Sequence, residues 1–141
     1  MLARASVRID AARQAVWRLL IAPEMLPRIM PIRAVIAPWR LAAPFKWVFE
    51  LGGESADIDG FVHRVEEARR LDYDYVDPHS RLVMGVADNV HRVTIELSDE
   101  DDATRVVVTQ DGNISEAARA HAAGGWRLAL HNLKALAERA R

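Results

Sequence analysis

The sequence predicts an α+β fold in which a curved antiparallel sheet of about six to seven strands wraps around a long C-terminal helix. Three observations carry that prediction. The run HRVTIELSDE at residues 91–100 alternates as a strand, TRVVVTQDGN at 104–113 repeats the pattern after an acidic turn, and the chain from Ser115 onward reads as one Ala-rich helix. Strands first and one long helix last leave the helix to close the concave side of the sheet. Room between the two layers then makes an internal cavity.

Taken in order, ARASVRI at residues 3–9 is a first strand, and Asp10 stands where a helix N-cap belongs. Val16, Leu19 and Leu20 follow at helical spacing with Trp17 beside them, predicting a short amphipathic helix over 12–21. Pro23 suits a first helical position, and Pro27 and Pro31 restrict a second helix to about one turn. The period then changes to two. In FKWVFEL, Phe45, Trp47, Phe49 and Leu51 share one face and Lys46, Val48 and Glu50 the other, with Gly52 and Gly53 supplying a turn. Residues 56–65 form the next strand, with Gly60 as its bulge or point of close approach. LDYDYV puts Leu71, Tyr73 and Tyr75 inward and two aspartates outward, and DPHS after it is turn-rich. The last two strands align His91, Val93, Ile95 and Leu97, then Thr104, Val106, Val108 and Gln110, around a solvated tip at SDEDDA. Ser115 and Glu116 open the closing helix, which reaches about 37 Å if it runs to Arg139. Its core face carries Ala122, Trp126, Leu130, Leu133 and Ala137, leaving His121, Arg127, His131 and Lys134 to water. Gly124 and Gly125 inside it predict a kink or a close approach to the sheet.

Length and charge bound the function. At 141 residues the chain is expected to form one domain over 1–141. Its 19 basic and 20 acidic residues set up no global field toward nucleic acid or anionic membrane. MLARASVRID turns polar at Arg8 and Asp10 before any apolar signal core, and no stretch approaches the roughly 18 apolar residues of a membrane span, so a cytoplasmic protein is expected. Cysteine is absent, which removes thiolate chemistry and disulfides. The five histidines never fall at HxxxH or HxH spacing, and LGGES lacks a phosphate-loop lysine, so neither a metal nor a nucleotide cofactor is expected.

The segments VRIDAARQAVWRLLIAPE at 7–24, DGFV at 59–62, RRLDY at 69–73, VTIEL at 93–97 followed by TRVVVTQDGN, and Gly125 and Trp126 with HNLKAL at 131–136 run in one order over nearly the whole chain. That order resembles the START-like (SRPBCC) helix-grip superfamily, whose fold is that of the birch pollen allergen, and within it the branch named after the activators of the heat-shock chaperone ATPase. The resemblance implies an antiparallel sheet around the C-terminal helix and a hydrophobic cavity between them. Members of the superfamily include lipid and steroid carriers, aromatic polyketide cyclases, hormone receptors and co-chaperones, so membership by itself leaves function open. Many relatives of the branch carry tryptophan in the helix after the first one, where this chain has Ile29 and Met30.

A mostly apolar cavity orients its ligand with a few polar groups, so the inward strand positions hold the site candidates. These are Trp47, Phe49, Phe61, His63, Tyr73, Tyr75, His91, Val93 and Val108, with Trp126 and Leu130 from the helix. Phe61 and His63 are placed inward by sharing the parity of Val65. Trp47 and Trp126 either line the cavity or fill the core. His91 and Tyr73 are the acid–base candidates, since histidine titrates near neutrality and a phenol donates to a developing oxyanion. No nucleophile–base spacing accompanies them, and binding of a small hydrophobic molecule (lipid, sterol or aromatic polyketide-like) is preferred to a cyclase, dehydratase or hydrolase. A chaperone partner is implied by the resemblance alone.

Overall fold

The computed structural model describes residues 1–36, 39–51, 53–77 and 89–139. Its elements run β1 (Ala3–Ile9), α1 (Arg13–Ile21), a 3-10 turn (Pro23–Met25), α2 (Leu26–Ile29), β2 (Ile32–Ile36), β3 (Pro44–Leu51), β4 (Glu54–Glu66), β5 (Arg70–Asp77), β6 (Asn89–Glu100), β7 (Ala103–Gln110) and α3 (Glu116–Arg139). All seven strands join one antiparallel sheet in the order β1-β7-β6-β5-β4-β3-β2. The predicted α+β class, the two short helices after the first strand and the long closing helix are all present. The turn-rich residues 78–80, with His79, lie outside the described residues.

Alternation places the core. Phe45 and Trp47 of β3, Ile58 and Val62 of β4, Leu71 and Tyr73 of β5, His91, Val93, Ile95 and Leu97 of β6, and Thr104, Val106, Val108 and Gln110 of β7 are buried on one side of the sheet. On that side α3 packs chiefly against β1, with α1 and α2 flanking it. Its buried residues are Ala123, Ala129, Leu130, Leu133 and Ala137. Ser115 opens the helix as expected, its hydroxyl oxygen accepting the Ala118 N–H at 3.0 Å.

Three local expectations are corrected. Asp10 is not the cap of α1: the N-cap is Ala12, without a side-chain bond, because the chain first turns through Ala11, whose N–H reaches Ile9 O at 2.9 Å. The Asp10 N–H is given to Glu138 Oε2 at 2.8 Å, which fastens the last turn of α3 to the β1–α1 corner. Second, the bulge in β4 is at His63, not Gly60. Val62 pairs with Tyr73 and Arg64 with the next residue, Asp72, so His63 is the extra residue. Parity counted back from Val65 therefore inverts, and Phe61, 40% exposed, and His63 lie on the outer face. Gly60 keeps its other role: a Cβ there would stand 2.0 Å from Phe45 Cζ, so the ring of its cross-strand partner occupies the space a side chain would need. Third, the glycine pair in α3 marks no close approach, since a Cβ on Gly125 meets nothing within 4 Å and one on Gly124 only the Arg127 guanidinium at 3.7 Å. The helix runs through both as one element.

Candidate functional site

Two groups of side chains stand on the concave face. The first is an aromatic box. Phe45 and Trp47 come from β3, Tyr73 from β5, and Trp39 from the connection into β3, where Ala42 N–H to Val62 O at 2.9 Å and Val62 N–H to Ala43 O at 2.8 Å tie that connection to β4. Ring centroids lie 4.4 Å apart for Phe45 and Trp47, and 5.6, 5.8 and 5.7 Å from Trp39 to Phe45, Trp47 and Tyr73. Tyr73 meets Phe45 and Trp47 edge-on at 5.5 and 5.6 Å. Edge-to-face pairs of this kind are favoured by the ring quadrupoles. Burial, and after it the neighbouring Tyr75, pushes the Tyr73 phenol well above its usual pKa, so it stays a protonated donor. Trp47 is only 3% exposed, and its indole N–H has no hydrogen-bond partner among the described residues.

The second group is a polar hub centred on Gln110 at the end of β7. Its Oε1 accepts from Trp126 Nε1 at 2.8 Å and from the Tyr75 hydroxyl at 3.3 Å, while its Nε2 donates to Asn113 Oδ1 at 3.4 Å. Asn113 Nδ2 in turn donates to Gln110 O and to Met1 O, each at 2.8 Å. His91 packs on Tyr75 with centroids 5.1 Å apart. His91 Nδ1 lies 3.0 Å from Asp111 O, and a carbonyl only accepts, so Nδ1 carries the proton in the neutral ring. The 3.3 Å approach of Gln110 Nε2 to the same nitrogen then sets two donors side by side and is a packing contact. Register explains the assembly, because Tyr75 faces His91 across β5–β6 and Val93 faces Gln110 across β6–β7.

The sequence-predicted residues divide accordingly. Trp47 and Tyr73 enter the aromatic box, and Tyr75, His91 and Trp126 enter the hub. Val93, Val108 and Leu130 are buried in the core, which Phe49 joins as a half-buried edge. The phenol against His91 is Tyr75, whereas Tyr73 sits in the box and reaches the hub only through its ring contact with Tyr75 at 6.4 Å. Gln110, Asn113 and Trp39 were not singled out from sequence. Gln110 had a signal, being the polar end of an otherwise apolar inward row; Trp39 had none, since it lies outside any strand pattern.

On the outer face, His63 Nε2 and Asp74 Oδ2 are 2.8 Å apart, and Arg92 binds the same carboxylate through Nε and, at 3.1 Å, Nη2. Burial pushes the Asp74 carboxyl up, but the hydrogen bonds from Arg92 and then His63, with their charges, outweigh it and hold the pKa below the usual aspartate value. Beside this triad a shallow depression of about 220 Å³ is lined by Asp59, Gly60, Phe61, Asp74, Tyr75, Val76 and Val90. Among the described residues no cluster of three or more metal-ligating side chains occurs, and no helix is long and apolar enough to cross a membrane.

Comparison with known proteins gives the same architecture. Residues 10–138 match the family model described as Activator of Hsp90 ATPase homolog 1-like protein. No curated protein matches the sequence. Among solved structures, protein CV1439 from Chromobacterium violaceum superposes with a TM-score of 0.82 at 20% identity, over 97% of this chain and 96% of its own. ChR145 from Cytophaga hutchinsonii gives 0.80 at 27% identity, over 99% and 94%. DynU16, a protein of the dynemicin biosynthetic locus, gives 0.78 at 20% identity, over 99% of this chain but 48% of its own.

Proposed function

This chain belongs to the Activator of Hsp90 ATPase homolog 1-like family, and from that premise we propose that it binds a small hydrophobic molecule between the sheet and α3. The observation that carries the proposal is the Gln110 hub. Binding sites for apolar ligands are apolar surfaces interrupted by a few convergent polar groups. The concave face fits that description, with Tyr75, His91, Gln110 and Trp126 gathered in one group within a lining otherwise built from aliphatic and aromatic side chains. An acid–base enzyme in the same place would draw on His91 and Tyr75. Both are engaged in the hub, Tyr75 through Gln110 and His91 through Asp111 O, which favours holding a ligand over transferring its protons. The likeness to DynU16, a protein of the dynemicin biosynthetic locus, is one of fold, and chaperone docking rests on the family description alone.

The test is an amide NMR titration of the protein with a fatty acid, a sterol and a polycyclic aromatic ketone. Saturable shifts centred on Tyr75, His91, Gln110 and Trp126 are expected with at least one class. Absence of saturable shifts with all three overturns the proposal.

A further inference from the structure

The orphaned indole of Trp47 specifies what kind of molecule the concave face accepts. Buried donors in folded proteins almost always have a partner, and leaving one without costs free energy. Trp47 Nε1 is such a donor among the described residues, on a buried indole in ring contact with Trp39, Phe45 and Tyr73. A trapped water is a poorer answer, because beyond accepting the Trp47 N–H it needs acceptors for its own two hydrogens, and the ring groups offer one, the Tyr73 hydroxyl oxygen. The surrounding rings bring only the Trp39 N–H and the Tyr73 hydroxyl. Among the described residues the inward register positions of β3 to β7 hold no lysine or arginine; Glu54, Asp77 and Asp99 share that parity only at strand ends, and the buried inward polar residues are Tyr73, His91, Thr104 and Gln110. A carboxylate or phosphate on the ligand would enter without a cation to meet it, a placement that low-dielectric surroundings penalise heavily.

We infer that the ligand is an uncharged, flat, ring-containing molecule whose carbonyl or ether oxygen accepts the Trp47 N–H while its rings pack against the cluster of Trp39, Phe45 and Tyr73. This deepens the proposed function and rests on it. Trp47 is then the specificity-determining donor, and anionic lipids such as fatty acids are disfavoured, since the described inward positions of β3 to β7 offer no lysine or arginine to meet a carboxylate. Gly60 belongs to the same device: having no side chain, it lets the Phe45 ring lie over β4 in the space a Cβ would fill.

The experiment uses three probes of one skeleton, 9-fluorenone, fluorene and fluorene-9-carboxylate, titrated into protein labelled with ¹⁵N at its four tryptophans, whose indole peaks are assigned by single Trp→Phe substitutions. Fluorenone is expected to move the Trp47 indole proton downfield saturably and to bind about tenfold or more tightly than fluorene, the worth of one buried hydrogen bond. The carboxylate is expected to bind more weakly than fluorenone. In Trp47→Phe the preference of ketone over hydrocarbon falls to near one, a ratio that any loss of stability leaves untouched; should that variant not fold, the wild-type ratio and the Trp47 peak decide. Equal binding of fluorenone and fluorene, or a Trp47 peak that stays still while other resonances shift, overturns this inference and leaves the binding proposal standing. So does an indole proton already shifted far upfield in the free protein and unmoved by fluorenone, which would place the N–H over the face of Trp39 or Tyr73. Tight binding of the carboxylate overturns the requirement for a neutral ligand. If no probe shifts any resonance saturably, while the fatty acid, sterol and ketone panel is also silent, both fall together.

Discussion

The two ends of the concave face are closed by different means. At the β1–β7 end, the long helix lies directly on the sheet, and the buried residues of β1 and α3 are mostly small: Ala3 and Ala5 against a helix face containing Ala123, Ala129 and Ala137, with Leu130 and Leu133 among them. At the β3–β5 end the covering is a cluster of large rings, Trp39, Phe45, Trp47 and Tyr73, and the Trp47 donor is left without a partner among the described residues. Small side chains bring helix and sheet into close contact, so the first end is fixed by packing. Rings meeting at 4.4 to 5.8 Å fill space without spending the N–H between them, so the second end is incomplete in its polar chemistry although it is full of carbon. The hub of Gln110 lies between the two and is joined to both, through Trp126 of α3 and through Tyr75 beside Tyr73. Stability and ligand choice are thus assigned to different ends of one sheet.

The sharpest way to break that division is Leu133→Ala. Leu133 is 1% exposed at the packed end, and truncation there is expected to cost about 2–5 kcal/mol, read from urea unfolding. The relative affinity for fluorenone over fluorene is expected to stay unchanged. A change in that ratio would show that the two ends are not separable. Gly60→Ala addresses the other end with a smaller effect. Its Cβ meets Phe45 Cζ at 2.0 Å, which forces the ring toward Trp47, and the overpacking is expected to cost about 1–3 kcal/mol. Displacement of the Trp47 indole peak should accompany the loss; a stability loss with that peak unmoved would mean Phe45 escapes elsewhere.

Beneath the aromatic end, Asp74 alternates with Tyr73 and Tyr75 and cross-links β4, β5 and β6 from outside through His63 and Arg92. Its carboxyl is held below the ordinary aspartate pKa, so the unfolded chain takes up a proton first as pH falls. The contribution is fully present above the unfolded-state aspartate value, near pH 4, and is lost as pH falls from there through the folded value. Asp74→Asn is expected to destabilise by about 1 kcal/mol at pH 7 and to flatten the acid limb of a stability–pH profile measured by urea unfolding. An acid limb identical to that of the wild type would remove Asp74 from this role.

Much of this difference between ends was legible in the sequence, and where it was not the reason is local. Period-two alternation marked β3, β5, β6 and β7 with their inward rows, because a sheet with one buried face must separate apolar from polar side chains at every second residue. The same alternation misled in β4, since a bulge inserts one residue without changing composition, and Phe61 and His63 turned outward with nothing in their identity to announce it. Gln110 was visible as a polar residue closing an apolar row, yet its partners Trp126 and Asn113 come from beyond the strand and needed the fold to meet it. Trp39 illustrates the limit most plainly: it belongs to no periodic segment, and its segment is brought over the sheet with the help of the hydrogen bonds of Ala42 and Ala43 to β4. The unpaired state of the Trp47 donor is likewise a property of three neighbours, not of the tryptophan.

The glycine pair in α3 offers the smallest and cleanest test, because sequence and structure point in opposite directions. Adjacent glycines in a helix argued for a kink or a close approach to the sheet, and the second would make any added side chain costly. Yet Gly125 is exposed, and a Cβ there meets nothing within 4 Å, so steric need does not account for it. Gly125→Ala should then gain the helix-propensity difference, about 0.5–1 kcal/mol, by narrowing the unfolded ensemble and favouring helical backbone. A higher urea midpoint with an unchanged slope is the expected result. If the substitution instead destabilises, the exposed face of α3 at this point is occupied in solution by something the isolated chain does not contain, and the packed end would no longer be set by alanine-sized contacts alone. If stability rises as expected while fluorenone binding weakens, flexibility at this turn of the helix, just before Trp126 and its bond to Gln110, serves entry of the ligand. The packed end would then admit what the aromatic end selects.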